Sequence, residues 1–238
     1  MTTTLFKTLG AATTLAGIIA TAGSANAASL SYTTATNFAN TDIVDSTISV
    51  QKFNSALGTL KKVTLNFVGD LTGDAKFESR NARNSTVTVD LSGEISLTQV
   101  NLEPKPLLLL TPQQVNSYNV SPFDGVTDFG GTSGRTLTGL SATKSTDAIF
   151  TDSPSLQVFT GTGNLDFLFT AFANSVVSGS GNITSSINTL AKASVQVTYD
   201  YDPAKSVPEP SAALGIGLIA GLGMLSQRKK SSMKVSNS

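Results

Sequence analysis

The sequence predicts an all-β protein, an antiparallel β-sandwich of roughly eight to ten strands, with a jelly-roll-like strand order as the variant. Three observations predict it. Apolar and polar residues alternate with a period of two in several windows. The connectors between those windows carry Gly, Asn, Asp or Pro. No window shows sustained helical spacing with caps. Strands with one apolar and one polar face belong to antiparallel sheets that bury one side, and two such sheets can bury their apolar sides together.

The elements follow in order. Leu30 to Thr34 and Ile48 to Phe53 read as strands. Val63, Leu65 and Phe67 alternate with Thr64 and Asn66, and a further strand is expected at Ala75 to Asn81. Val87, Val89 and Leu91 alternate with Thr86, Thr88 and Asp90, followed by a strand near Ile95 to Val100. Gly58, Gly69-Asp70, Gly73-Asp74, Ser92-Gly93 and Gly161-Thr162-Gly163 read as connectors between strands. Asn101 to Gly134 is different, broken by Pro104, Pro106, Pro112 and Pro122. Within it, Leu107 to Leu110 is expected to plug the core or form a short buried strand. Pro112-Gln113-Gln114-Val115 would start one helical turn at most, and Ser121 to Gly134 is a turn-dense loop. Ala148 to Thr151 adds a strand. Leu165, Phe167, Phe169 and Ala171 then alternate with polar neighbours, and so do Val195, Val197, Tyr199 and Tyr201. No repeat of fixed period appears, which argues against a propeller or a β-helix.

The two ends read as targeting segments. Residues 1–27 fit a secretory signal peptide: Lys7, an apolar stretch from Leu9 to Ala22, and the small residues Ala25-Asn26-Ala27, with signal peptidase expected to cut before Ala28. An uncleaved anchor is the other reading of that run. The β-sandwich domain spans 28–203. Residues 204–230 hold a short linker, the motif Val207-Pro208-Glu209-Pro210, an apolar run from Ala212 to Leu225 and the basic cluster Arg228-Lys229-Lys230, and 231–238 form a polar tail. As a helix, the apolar run would cover only about 21 Å of a bilayer core about 30 Å thick. The basic cluster favours the cytoplasmic side. The prolines keep the motif extended and open to a processing enzyme. An ordinary tail anchor is the rival account.

Motif, apolar run and basic stop, in that order and behind an export signal, resemble the PEP-CTERM sorting signal. That resemblance implies processing by an exosortase-type membrane transpeptidase. The body is also similar to the choice-of-anchor E domains of exported bacterial proteins. The residues that carry this are Phe53-Asn-Ser-Ala-Leu-Gly-Thr-Leu60 with Val63-Thr-Leu65, Phe123-Asp-Gly-Val-Thr-Asp-Phe-Gly-Gly-Thr-Ser-Gly134, Phe159-Thr-Gly-Thr-Gly163 and Val195-Gln-Val-Thr-Tyr-Asp-Tyr201. The resemblance implies an extracellular β-rich domain and supplies no catalytic residue.

Missing residue types narrow the chemistry. The chain has no His, Cys or Trp. That excludes Ser-His-Asp triads, thiol nucleophiles, His- or Cys-ligated metals and Trp platforms for sugars. Disulfides are excluded too, so an exported body must rely on its core. Ala28 to Ser206 carries 11 basic and 15 acidic residues, a net charge of −4, which argues against nucleic acid as a partner and confines membrane contact to the terminal segments before processing.

Carboxylates remain. Asp124 and Asp128, with nearby carbonyls, are the oxygen donors that would suit calcium, though turn capping is the expectation for both. Asp200 and Asp202 share a strand face by alternation and are expected to be solvated. Gly130-Gly131-Thr132-Ser133-Gly134 lacks the Lys of a phosphate loop and the register of a nucleophile elbow. Three Asn-x-Ser/Thr sequons occur, at Asn84, Asn119 and Asn182. The resulting expectation is an exported, non-enzymatic protein with a structural or adhesive role in the extracellular polymer layer, in contact with extracellular polysaccharide. A secreted carbohydrate- or calcium-binding module is the alternative, and a two-carboxylate glycosidase the third reading.

Overall fold

Alternation of apolar and polar residues builds two antiparallel sheets that face each other across one apolar core. The computed structural model describes residues 15–19 and 27–204. Ala25, the motif Val207-Pro208-Glu209-Pro210, the apolar run 212–225 and the basic cluster 228–230 lie outside the described residues, as does most of the expected leader. No helix among the described residues is long and apolar enough to cross a membrane.

The strands in chain order are β1 (Leu15–Ile19), β2 (Ala28–Ala35), β3 (Ala39–Asn40), β4 (Ile43–Gln51), β5 (Gly58–Ser79), β6 (Ser85–Thr98), β7 (Leu108–Leu110), β8 (Gln113–Val120), β9 (Gly134–Phe150), β10 (Asn164–Ala173), β11 (Val176–Gly179) and β12 (Ile183–Pro203). One sheet runs β1-β2-β12-β5-β9, with β3 continuing the line of β2 along β12. In the other, β6 is flanked by β7 and β8 on one side and by β10 and β11 on the other, with β4 beyond β10. Pro112 separates β7 from β8, since proline has no N–H to give the ladder. Between β10 and β11 the Ser175 hydroxyl accepts from the Ser92 N–H at 3.1 Å, in place of a main-chain partner.

Two pairs of expected strands prove to be single long ones. β5 is 22 residues and β6 is 14, so Gly69-Asp70, Gly73-Asp74 and Ser92-Gly93 are strand interior and not connectors. The glycines are there because neighbours come close. A Cβ on Gly69 would lie 2.9 Å from the Ile95 Cδ1 across the core, and one on Gly73 would strike the Asn188 carbonyl of the adjacent strand. Gln113 to Val115 begins β8 instead of a helical turn, its residues pairing with Ser92, Leu91 and Asp90. Leu107 to Leu110 meets its expectation in part: Leu107 and Leu110 are buried and the last three residues form β7, but Leu109 in the middle of that strand is exposed.

One helix was not expected. α1 (Ser153–Phe159) starts at Asp152, whose carboxylate accepts from the Ser155 N–H at 2.9 Å, with Pro154 in its first turn. That N–H, then the Ser155 hydroxyl, holds the Asp152 carboxyl below its ordinary range. The helix lowers the fully buried Phe159 into one end of the core, 5.1 Å from the Phe150 ring and 6.5 Å from Tyr199 between centroids. Phe53, Tyr32 and Tyr201 complete an aromatic cluster there.

Tyr199 is buried, and its hydroxyl donates to the Gln51 carbonyl at 2.7 Å. Burial, and then the neighbouring Tyr32, pushes its phenol up. The folded state therefore keeps a proton that an unfolded chain releases near pH ~10. The stability this supplies is complete below that pH and is lost as the pH climbs toward the folded value, at about 1.4 kcal/mol per pH unit. Alkaline titration of the unfolding midpoint should show this slope, and Tyr199→Phe should flatten it. An unchanged slope in the variant would assign it elsewhere.

Candidate functional site

At the opposite end of β5 the core gives way to a polar network, and the loop 121–133 folds over it. Phe77 faces the core, so alternation should turn Glu78 to solvent. Instead Glu78 is fully buried, because the loop covers that outer face. One carboxyl oxygen accepts from the Phe129 N–H at 2.9 Å and the other from the buried Ser133 hydroxyl at 2.5 Å. The Ser79 N–H bonds to the Ser133 carbonyl at 2.9 Å. Gly134 is required because a Cβ there would run into the Glu78 carboxyl. Phe129 sits at φ +58°, a conformation its side chain disfavours, with the Lys76 ammonium 4.6 Å from its ring centre.

Asn81 ties three loops to this end. Its amide donates to the Ser79 hydroxyl at 3.1 Å and the Ser180 carbonyl at 2.6 Å, and accepts from the Asn182 N–H at 2.8 Å. Its own carbonyl accepts from the Phe123 N–H at 2.8 Å. Beside it lies an open groove of about 370 Å3 lined by Asn84, Ser85, Thr86, Asn119, Val120 and Ser121. Two sequon asparagines therefore border one groove, and the third, Asn182, lies in the same network. The groove offers hydroxyls and amides, with no aromatic ring and no carboxylate.

The two carboxylates weighed for calcium cap turns, as expected. Asp124 accepts from the Val126 N–H at 3.0 Å and Asp128 from the Gly130 N–H at 2.9 Å, the turn geometry that short acidic side chains favour. Among the described residues no group of three acidic side chains is placed to share a metal ion. Chelation is accordingly expected to leave the melting temperature unchanged, while Asp124→Asn and Asp128→Asn each lower it modestly. A chelator-induced drop of several degrees that vanishes in the double variant would make this loop a calcium site.

Asp200 and Asp202 form surface ion pairs with Lys62 at 2.8 Å and Lys61 at 3.2 Å. A register shift against β5 falls between Asp200 and Tyr201. Among the other carboxylates, Asp70 bonds to Thr143 and pairs with Lys192, Asp74 accepts from the Gly139 N–H, Asp147 bonds to Asn66 and Asp166 to Ser49, while Asp90 accepts from Gln113 through one oxygen and leaves the other buried without a partner. Glu78, the most constrained of them, was missed from sequence. Strand alternation points it outward, and nothing local announces that a loop some 45–55 residues later in the chain will cover it.

No family model and no curated protein matches the chain. Among solved structures, a mutant VP2 protein of infectious bursal disease virus from derived T=1 particles is similar at 12% identity over 85% of this chain and 48% of that one, with a TM-score of 0.15. A second structure of such particles gives 11% identity, 87% and 49% coverage and a TM-score of 0.15. The chain spans about half the length of these capsid proteins, and likeness at this level carries no argument about its fold or its role.

Proposed function

We propose that the protein is exported, loses its leader and its C-terminal sorting segment, and serves as a structural or adhesive component of the extracellular polymer layer. The observation that carries the choice of role is the use made of its carboxylates. Most of those with a partner in the structure are used on turns, a helix cap, cross-strand hydroxyls and surface lysines. A glycosidase needs two facing each other across a cleft, and a calcium module needs several converging. The groove at Asn84 and Asn119 has no aromatic platform of the kind that holds sugar rings. These features support a body most of whose carboxylates bond within its own fold and whose outer strand faces are hydroxyl-rich.

Destination rests on the terminal signals. The Ala25-Asn26-Ala27 site and the Val207-to-Lys230 segment together favour delivery to the cell surface or matrix by signal peptidase and an exosortase-type enzyme. The test is the intact mass of the protein recovered outside the cell. The expected species begins at Ala28 and lacks everything after Pro210. A mature form that still contains Arg228 to Lys230 would overturn the sorting reading.

A further inference from the structure

An open sheet leaves strands whose free N–H and C=O groups invite another strand, and stable monomers guard those edges. Among the described residues the edge strands β3 and β11 are only two and four residues long, and three of the four longer edge lines are guarded. β4 carries Asp45 at φ +50° and slips register against β10 between Phe169 and Ala171. β9 and the β7–β8 line lie against each other: Lys144 reaches the Thr111 hydroxyl at 3.0 Å, the Ser141 N–H bonds to Gln114 at 3.1 Å, and Arg135 lies over the Tyr118 ring at 5.2 Å.

β2 has no such guard. Its eight residues, Ala28-Ser-Leu-Ser-Tyr-Thr-Thr-Ala35, include no charge, no proline and no positive φ, and pair with β12 without a register shift. β1 covers it, in unbroken antiparallel register from Leu15 opposite Thr33 to Ile19 opposite Ser29. So the outer edge of β2 is shaped to accept a strand, and the strand it holds belongs to the segment expected to be cut away before Ala28.

The geometry points to β2 as a dimerisation strand: once residues 1–27 are removed, its bare edge pairs antiparallel with β2 of a second copy. This rests on the leader being cleaved, as proposed above. The occupant follows from the strand itself. Two-fold pairing of a strand with itself is necessarily antiparallel, the mode in which β1 already sits there. Self-pairing opposes like charges on a charged strand; β2 has no charged side chain, and the α-ammonium that cleavage leaves on Ala28 sits at the strand's end. With Tyr32 opposite Tyr32, Leu30 meets Thr34 and Ser31 meets Thr33. The buried alternates Leu30, Tyr32 and Thr34 then stay on the core face, and the hydroxyls of Ser31 and Thr33 pair on the outer one.

Sedimentation velocity on two samples tests this: the protein recovered outside the cell, its N-terminus fixed by mass, and a chain made to begin at Ala28, which retains every core residue from Leu30 onward. Both are expected to be dimers. Thr33→Lys, which puts a charge on the outer face of the edge and removes the acceptor for the Gln196 amide, should give folded monomers whose melting temperature no longer rises with protein concentration as the dimer's does. Because the chain has no cysteine, mixing Ser31→Cys with Thr33→Cys should give a disulfide-linked heterodimer, which reads the register even if the lysine variant folds poorly. Monomers from a chain confirmed to start at Ala28 would overturn the proposal. So would a dimer that ignores Thr33→Lys and does not cross-link, or a β2 edge that pairs only with a different protein. An exported chain that keeps residues 1–27, beside a dimeric chain starting at Ala28, would sink the leader reading and leave the strand-pairing inference standing.

Discussion

Phe67→Ala is expected to destabilise the body by about 3–5 kcal/mol, among the larger effects of any single truncation in this fold. Phe67 is fully buried at the middle of β5, opposite Val195 on β12 and Thr146 on β9, so both neighbours hold the backbone and limit collapse into the space left behind. In a domain of this size the loss should lower the melting temperature by roughly 6–20 °C. Chemical denaturation measures it directly. A loss under about 0.5 kcal/mol would mean that the side chain does not face the core. Reducing agent should leave the midpoint of both proteins where it is, since no disulfide can form.

The position of Phe67 was legible because alternation is a local signal: Val63, Leu65 and Phe67 all face inward, and the same rule placed Val87 to Leu91 and Val195 to Tyr199. Strand length was less legible. Gly69 and Gly73 were read as turns because glycine usually marks one, yet here each makes room for an atom from a neighbouring strand or sheet. That demand is visible only once Ile95 and Asn188 are in place. The body has eleven strands among the described residues, against roughly eight to ten expected, partly because the lines β7–β8 and β10–β11 on either side of β6 are each broken in two. α1 is seven residues long, too short to show a helical period, although Asp152 before Ser153-Pro154 is a start signal that the sequence does carry. At the candidate site, the turn roles of Asp124 and Asp128 could be read from Asp among glycines. The burial of Glu78 could not, because the pattern that turns it away from the core is correct and only the later loop hides it.

Glu78→Ala should therefore be the more revealing test. The substitution removes the acceptor for the Phe129 N–H and the Ser133 hydroxyl, both in the loop, and empties the space between β5 and that loop. A buried donor left without a partner costs about 1–3 kcal/mol, and because the Phe129 N–H is only half-buried the two together should cost roughly 2–5 kcal/mol. Glu78→Gln separates hydrogen bonding from packing. Its amide oxygen can still accept from the Phe129 N–H, and the Ser133 hydroxyl can turn to accept from the amide nitrogen, so most of the stability should return. Equal losses in the two variants would mean that the carboxyl matters for something other than these two bonds. Hydrogen exchange gives the local readout. The Phe129 amide should be protected in the native protein and in Glu78→Gln, and should exchange fast in Glu78→Ala, while amides in the middle of β5 and β12 slow exchange in all three. If the Phe129 amide stays protected in Glu78→Ala, the loop is held down by its own turns, at Asp124 and Asp128, and Glu78 is not its anchor.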